Sequence, residues 1–208
     1  MDETKNQRTL AAYENIAAEY ADLTKGMPTD VNLAMMNRFV DSTPEGGTVL
    51  ELGSGPGWDA DFLESRGLHV RRTDAAAAFR DLQIARGKHV DRLDAIADEY
   101  IDTRWPSYDG VMALFVLQHI EREHTDEILR KVAQALRPGG TFLGTVREGI
   151  GDIWEGSESG NRYHVTRWEP DAFEARIDAA NLEPIWRTRF VDDEGPWLGV
   201  IARKDVSS

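Results

Sequence analysis

Apolar positions along this chain switch between two periods. Tyr13, Ile16, Ala17 and Tyr20 fall three and four apart, which is one face of a helix. Pro28 closes that stretch, and Val31 to Val40 reads as a second short helix before a turn at Pro44, Gly46 and Gly47. Thr48 to Leu52 is a short apolar run that ends in glycines, so it predicts a strand. The alternation then repeats, with a helix over Ala60 to Arg66, a strand over Leu68 to Thr73, a helix over Ala75 to Arg86 and a weak strand over Val90 to Leu93. Tyr108 to Val116 is apolar on both faces, as a strand inside a parallel sheet must be. Ile128, Leu129, Val132, Ala133 and Leu136 mark a further helix stopped by Pro138, Gly139 and Gly140, and Thr141 to Val146 is a fifth strand. Arg147 to Trp168 shows no clear period and predicts a long Gly-rich, polar and aromatic loop. Pro170 opens a last helix carrying Phe173, Ile177 and Ala180, and Pro184 to Val191 with Trp197 to Arg203 reads as a closing pair of strands. About seven strands alternating with helices predict an α/β fold with a mostly parallel sheet.

Composition narrows the functions open to such a fold. The 208 residues suit one domain of ordinary size. With 24 Lys and Arg against 37 Asp and Glu the net charge is −13, which argues against a phosphate backbone or an anionic membrane as partner. The absence of cysteine excludes disulfides, zinc–thiolate sites, iron–sulfur clusters and a thiol nucleophile. No stretch approaches the roughly 18 apolar residues of a membrane span. The polar first residues carry no apolar signal core, so a cytoplasmic location is expected. His69, His89 and His124 have no partners at metal-ligand spacing, and the five-residue gap between His119 and His124 leaves them off one helix face, so no metal site is expected.

The sharpest local signal is Glu51-Leu52-Gly53-Ser54-Gly55-Pro56-Gly57 directly after a predicted strand. Glycines at such a turn let the backbone approach a ligand where a Cβ would clash. Asp74 ends the next strand, 19 residues after Gly55, where an acid accepts hydrogen bonds from ribose hydroxyls in nucleotide-binding α/β folds. The dinucleotide fingerprint fails because Trp58 stands where its third glycine belongs. The phosphate-binding loop fails because Gly57-Trp58-Asp59 has no lysine. A G-x-G-x-G loop preceded by an acid remains.

That loop resembles motif I of the class I S-adenosylmethionine-dependent methyltransferases. Four further segments are similar to the family in order: His69 to Asp74, Leu93-Asp94-Ala95, Tyr108 to Ile120, and Leu136-Arg137-Pro138-Gly139-Gly140-Thr141-Phe142. Tyr13 to Tyr20 resembles the prelude helix of its small-molecule members. The resemblance implies a Rossmann-like, doubly wound, seven-stranded sheet, mostly parallel with an antiparallel last strand, behind an N-terminal helical extension. It also implies one domain divided into a helical cap (1–44), a cofactor-binding core (45–147), a substrate loop (148–168) and a closing helix with strands (169–208). S-adenosylmethionine would be the methyl donor and S-adenosylhomocysteine the product. Gly53, Gly55 and Gly57 would line its methionine part, with Glu51, Ser54 and Trp58 around them. Asp74, beside Ala75, would bind the ribose. Asp94, with Leu93, would face the adenine. Ala113 and Leu114 would receive the amino group through backbone carbonyls, with Gln118 close by. The four alanines from Ala75 to Ala78 depart from the family pattern. Tyr13 and Tyr20 either close over the cofactor or belong to the core of their own helix.

The acceptor is less legible. The "[DNS]-P-P-[YF]" run of nucleic-acid N-methyltransferases is missing, since Ala113-Leu114-Phe115-Val116 stands in its place. A small molecule or peptide is therefore expected, with O- or N-methylation ahead of C-methylation, by a monomer or homodimer. His119 follows the fourth strand, and its ordinary pKa near 6.5 suits a general base at neutral pH. It equally suits a residue packed beside the cofactor. Arg147-Glu148-Gly149-Ile150-Gly151-Asp152, followed by Trp154, Arg162, Tyr163, His164 and Trp168, is similar to a run in one subgroup of the family. It reads as a lid in which Arg147 or Arg162 holds a carboxylate and Trp154, Tyr163 and Trp168 wall the pocket, or as arginines paired with nearby surface acids. The rival functions are a nicotinamide-dependent oxidoreductase and a non-catalytic cofactor-binding protein of the same fold.

Overall fold

A computed structural model describes residues 3–26, 28–156 and 161–206. Its sheet grows outward from one central strand. β1 (Thr48–Glu51) runs parallel to β2 (His69–Asp74) on one edge and to β4 (Tyr108–Ala113) on the other. β2 is followed outward by the two-residue β3 (Asp91–Arg92), and β4 by β5 (Leu136–Glu148), all parallel. The last two long strands, β8 (Leu182–Asp192) and β9 (Gly195–Lys204), form an antiparallel hairpin, and β9 joins the sheet antiparallel to β5. The chain thus winds from β1 to β3 in one direction and from β4 onward in the other. The crevice between the C-terminal ends of β1 and β4 is where ligands bind in sheets of this kind.

Neighbouring residues on the central strands enter different cores, which is why these runs lack polar alternation. Leu50, Val111, Phe142 and Val200 pack against α5 (Thr125–Ala135) and α6 (Pro170–Ala179). Val49, Met112, Leu143 and Ile201 pack on the opposite face against α2 (Asp30–Asp41), through Met35, Met36 and Phe39, and against Leu63 of α3 (Trp58–Ser65). A third cluster joins Ala17, Tyr13 and Tyr20 of α1 (Lys5–Leu23) to Phe79 of α4 (Ala77–Ala85). α1 starts with a capping box in which Thr4 and Gln7 exchange side-chain and backbone bonds.

Two expectations are corrected. The stretch expected to be a loop folds instead as a hairpin, β6 (Asp152–Gly156) antiparallel to β7 (Arg162–Trp168), with β7 parallel to the end of β5 beyond the last residue of β4. Residues 157–160 of that stretch lie outside the described residues. The hairpin gave no alternating signal because His164, Val165 and Thr166 are all buried. Among the described residues the sheet accordingly holds nine strands rather than seven. Further, Pro138-Gly139-Gly140 does not end α5. The helix ends at Ala135, and Leu136 already pairs with Tyr108 as the start of β5, consistent with the extended backbone that residues before proline adopt. β4 ends at Ala113, because Phe115 has φ 57° and turns the chain out of the sheet.

Candidate active site

The glycine loop is held from behind. Gly53, Gly55 and Gly57 all have positive φ, and a Cβ on Gly57 would overlap the Gln83 amide and the Arg72 guanidinium. Gln83, fully buried, donates to Ser54 Oγ at 3.1 Å and to the Gly55 carbonyl at 2.8 Å. Arg72 bridges Gln83 Oε1 and the Gly57 carbonyl and pairs with Asp61 and Glu64. Neither residue was singled out from the sequence, since both act from other elements. Glu51 stands behind the loop, bonded by the Ser54 hydroxyl, and burial pushes its carboxyl up to about 8.

Gly55 faces the other way. No atom lies within 4 Å of where its Cβ would be. Its N–H donates to Asp74 Oδ2 at 2.8 Å, and the Ala76 N–H donates to Asp74 Oδ1 at 2.8 Å. One carboxylate therefore ties the glycine loop to the turn after β2. Burial outweighs those two bonds and raises the Asp74 carboxyl to about 6. The alanine stretch that follows supplies no cap of its own to α4. Glu14 supplies it from α1, its two oxygens accepting from Ala77 N at 2.6 Å and Ala78 N at 2.8 Å.

These elements surround a cavity of about 410 Å³. Gly53, Ser54, Gly55 and Trp58 line it from the loop, and Asp74 and Ala75 from the end of β2. Leu93 and Asp94 line it after β3, where Asp94 Oδ1 also accepts from Ile96 N at 2.9 Å. Leu114, Gln118 and His119 come from beyond β4, and Tyr13 and Tyr20 from α1. Of the expected cofactor residues, Glu51, Gly57 and Ala113 stay behind the lining. The sequence reading missed Asp59, Phe79, Phe115, Trp197 and the Asp192-Asp193-Glu194 turn, which also line the cavity. Among the lining residues, Gln118 Oε1 and the indole nitrogens of Trp58 and Trp197 are buried without a partner.

His119 is corrected in its chemistry. Its Nδ1 lies 2.9 Å from the His164 carbonyl, so Nδ1 carries the proton and donates. Nε2 is then the acceptor for the Tyr13 hydroxyl at 2.8 Å. Burial lowers the imidazole to about 4, so it is neutral at pH 7 and a weaker base than its ordinary value promised.

The expected acceptor residues are corrected in place. None of Arg147, Trp154, Arg162, Tyr163 and Trp168 lines the cavity. Arg147 is 4% exposed, pairs with Glu155 at 2.8 Å and Glu194 at 3.1 Å, and stacks on Trp197. Arg162 is exposed and donates to the Trp154 carbonyl. Trp154 packs on His164 beneath Arg8. Trp168 lies in the main core beside Phe173. Tyr163, stacked on Tyr13 and edge-on to His119, and Arg147, through Glu194 and Trp197, touch residues that line it. On metals, Glu121, Glu123 and His124 bring ligand atoms within 4.8 Å of one another, a grouping missed by pairing histidines alone. Exposed carboxylates commonly cluster so without an ion. No helix among the described residues is long and apolar enough to cross a membrane.

Comparison with known proteins gives the site its context. The methyltransferase domain family matches residues 50–142. The ubiquinone biosynthesis O-methyltransferase of Maricaulis maris (strain MCS10) is 29% identical over 105 residues, a match spanning 48% of this chain and 40% of that protein. The Burkholderia thailandensis 1,6-didemethyltoxoflavin-N1-methyltransferase, solved with 1,6-didemethyltoxoflavin and S-adenosylhomocysteine bound, superposes with a TM-score of 0.69 at 18% identity, covering 95% of this chain and 88% of that one. The [4+2]-cyclase SpnF superposes with a TM-score of 0.72 at 16% identity, covering 99% and 98%. That protein is named for a different reaction, so the fold alone does not fix the chemistry. Residues 50–142 thus match a methyltransferase domain, and the sheet order with the glycine loop at its switch point is the fold shared with the solved methyltransferase above.

Proposed function

We propose that this protein transfers a methyl group from S-adenosylmethionine to a small-molecule or peptide acceptor. The observation that carries the reading is the open space at Gly55, beside a carboxylate that already organises the loop and keeps lone pairs for ribose hydroxyls. The donor set fits the cofactor: a cradle without Cβ atoms, acids at Asp74 and Asp94, and buried indole N–H groups without partners. In this reading Gly53 and Gly55 take its methionine end, Asp74 its ribose, Asp94 and Leu93 its adenine, and Tyr13 and Tyr20 wall it from α1.

The bound cofactor supplies an electrophilic sulfonium methyl, so the protein has chiefly to position and desolvate. Tyr13, fixed by His119, and Tyr20 exclude water from the α1 side. His119 holds the Tyr13 hydroxyl and thereby turns the phenolic lone pairs toward the cavity. With its acid form near 4 it is a positioning residue, and an acceptor proton leaves to solvent. The net charge of −13 supports an acceptor other than nucleic acid, and the reading takes the protein as a cytoplasmic monomer or homodimer. Calorimetry tests this. S-adenosylhomocysteine should bind once per chain while NAD does not, and Gly55→Val should abolish binding. An NAD complex, or no S-adenosylhomocysteine complex, would overturn it.

A further inference from the structure

We propose that the acceptor is a basic amine, held on the cavity side formed by α1, the end of β4 and the turn between β8 and β9. This rests on the methyltransferase reading above and names its substrate class. Among the described residues the cavity carries six carboxylates and no Lys or Arg. Asp59, Asp74 and Asp94 lie along the glycine loop and the ends of β2 and β3, the side assigned to the cofactor. Asp192, Asp193 and Glu194 remain, on a turn that the cofactor motifs do not reach. Arg147 is the cation at that turn, and it is already shared between Glu155 and Glu194. The Asp193 carboxylate has no hydrogen-bond partner among the described residues. A carboxylate or phosphate acceptor would enter against unbalanced like charge.

Two neutral groups point the same way independently. Gln118 lines the cavity and is 3% exposed; its Nε2 donates to the Phe115 carbonyl at 2.6 Å and lies 3.1 Å from His119 Nε2, and its Oε1 is buried without a partner. An orphan carbonyl oxygen calls for an N–H donor. Tyr13 spends its own proton on His119, so its oxygen also faces the cavity as an acceptor. Phe115, edge to face with Trp197 at 5.0 Å, completes the wall with an aromatic ring, while the Trp197 ring already carries the Arg147 guanidinium at 4.9 Å.

The step balances without a further reagent. The ammonium first gives a proton to solvent. The freed nitrogen lone pair would form the N–C bond as the S–C bond breaks, the S–C bonding pair staying on sulfur as a neutral thioether and the positive charge passing to the methylated nitrogen.

The test uses the full chain saturated with S-adenosylhomocysteine, whose binding is measured first by calorimetry. Failure at that stage sinks the methyltransferase reading rather than this one. Benzylamine, benzyltrimethylammonium, benzyl alcohol and benzoate are then titrated as size-matched probes. The cations should bind at least ten-fold tighter than benzoate, about 1.4 kcal/mol. Asp193→Asn, whose side chain is exposed, should cut that preference at least three-fold, and adding Glu194→Gln should cut it further. With S-adenosylmethionine, a mixed pool of primary and secondary amines should yield methylated product where matched acids and phenols do not. Equal or tighter binding of benzoate, no probe preference at all, or a preference untouched by both variants would overturn the proposal.

Discussion

Replacing Asp74 by Asn separates what this carboxylate does for the ligand from what it does to the fold. Its carboxyl sits at about 6 in the folded chain against an ordinary 3.8, with burial the leading cause. That difference corresponds to about 3 kcal/mol by which the ionised group opposes folding at pH 7. The sign follows from proton binding: the folded state holds the proton more tightly, so stability is lost as pH rises from about 4 through 6. Asn cannot ionise. Its amide oxygen keeps one of the two backbone N–H partners, and the other is lost at about 1–3 kcal/mol. At pH 7.5 Asp74→Asn should therefore be as stable as the parent or up to about 2 kcal/mol more stable, which raises Tm by roughly 4–8 °C in a chain of this size. At pH 4 the same variant should be the less stable one. S-adenosylhomocysteine affinity should fall about ten- to hundred-fold, since bonds to a charged acceptor contribute about 1.5–3 kcal/mol. Urea unfolding at the two pH values and calorimetry at pH 7.5 provide the measurements. An affinity within three-fold of the parent, or an equal stability deficit at both pH values, would refute the reasoning.

Glu14→Ala removes the cap that α1 lends to α4, and should cost about 1 kcal/mol of stability, read by urea unfolding, with Glu14→Gln recovering part of it. The His119 imidazole lies near 4 when folded and 6.5 when unfolded, so the unfolded chain takes the proton first on acidification. Stability should drop by roughly 3 kcal/mol between about pH 6.5 and 4 through this group, a slope that His119→Gln should flatten in denaturation curves. Turnover should show no His119 inflection near pH 6.5.

The central strands were readable because each is apolar on both faces, and the glycine loop because its φ values exclude most side chains. Asp74 was readable from its spacing alone. The hairpin β6–β7 was not, because its register is set by β5 and by α1, through Thr9 accepting from His164 N. The Gln83–Arg72 brace and the Glu14 cap were hidden for a related reason: each joins residues 11 or more apart through polar bonds that leave no period in the sequence. Arg147 misled because an arginine at a strand end looks the same whether it awaits a ligand or already has two carboxylates.

Tyr13 and Glu14 are consecutive, yet one reaches the imidazole beyond β4 and the other the first turn of α4. Helix α1 cannot lift from one end of the cavity while staying docked at the other. The two attachments break together, and with them the packing of α1 on Phe79 and the bond from His164 N to Thr9. Any movement of α1 that widens the acceptor end therefore loosens the ribose end as well. One helix thus ties the geometry of the two ends of the cavity together.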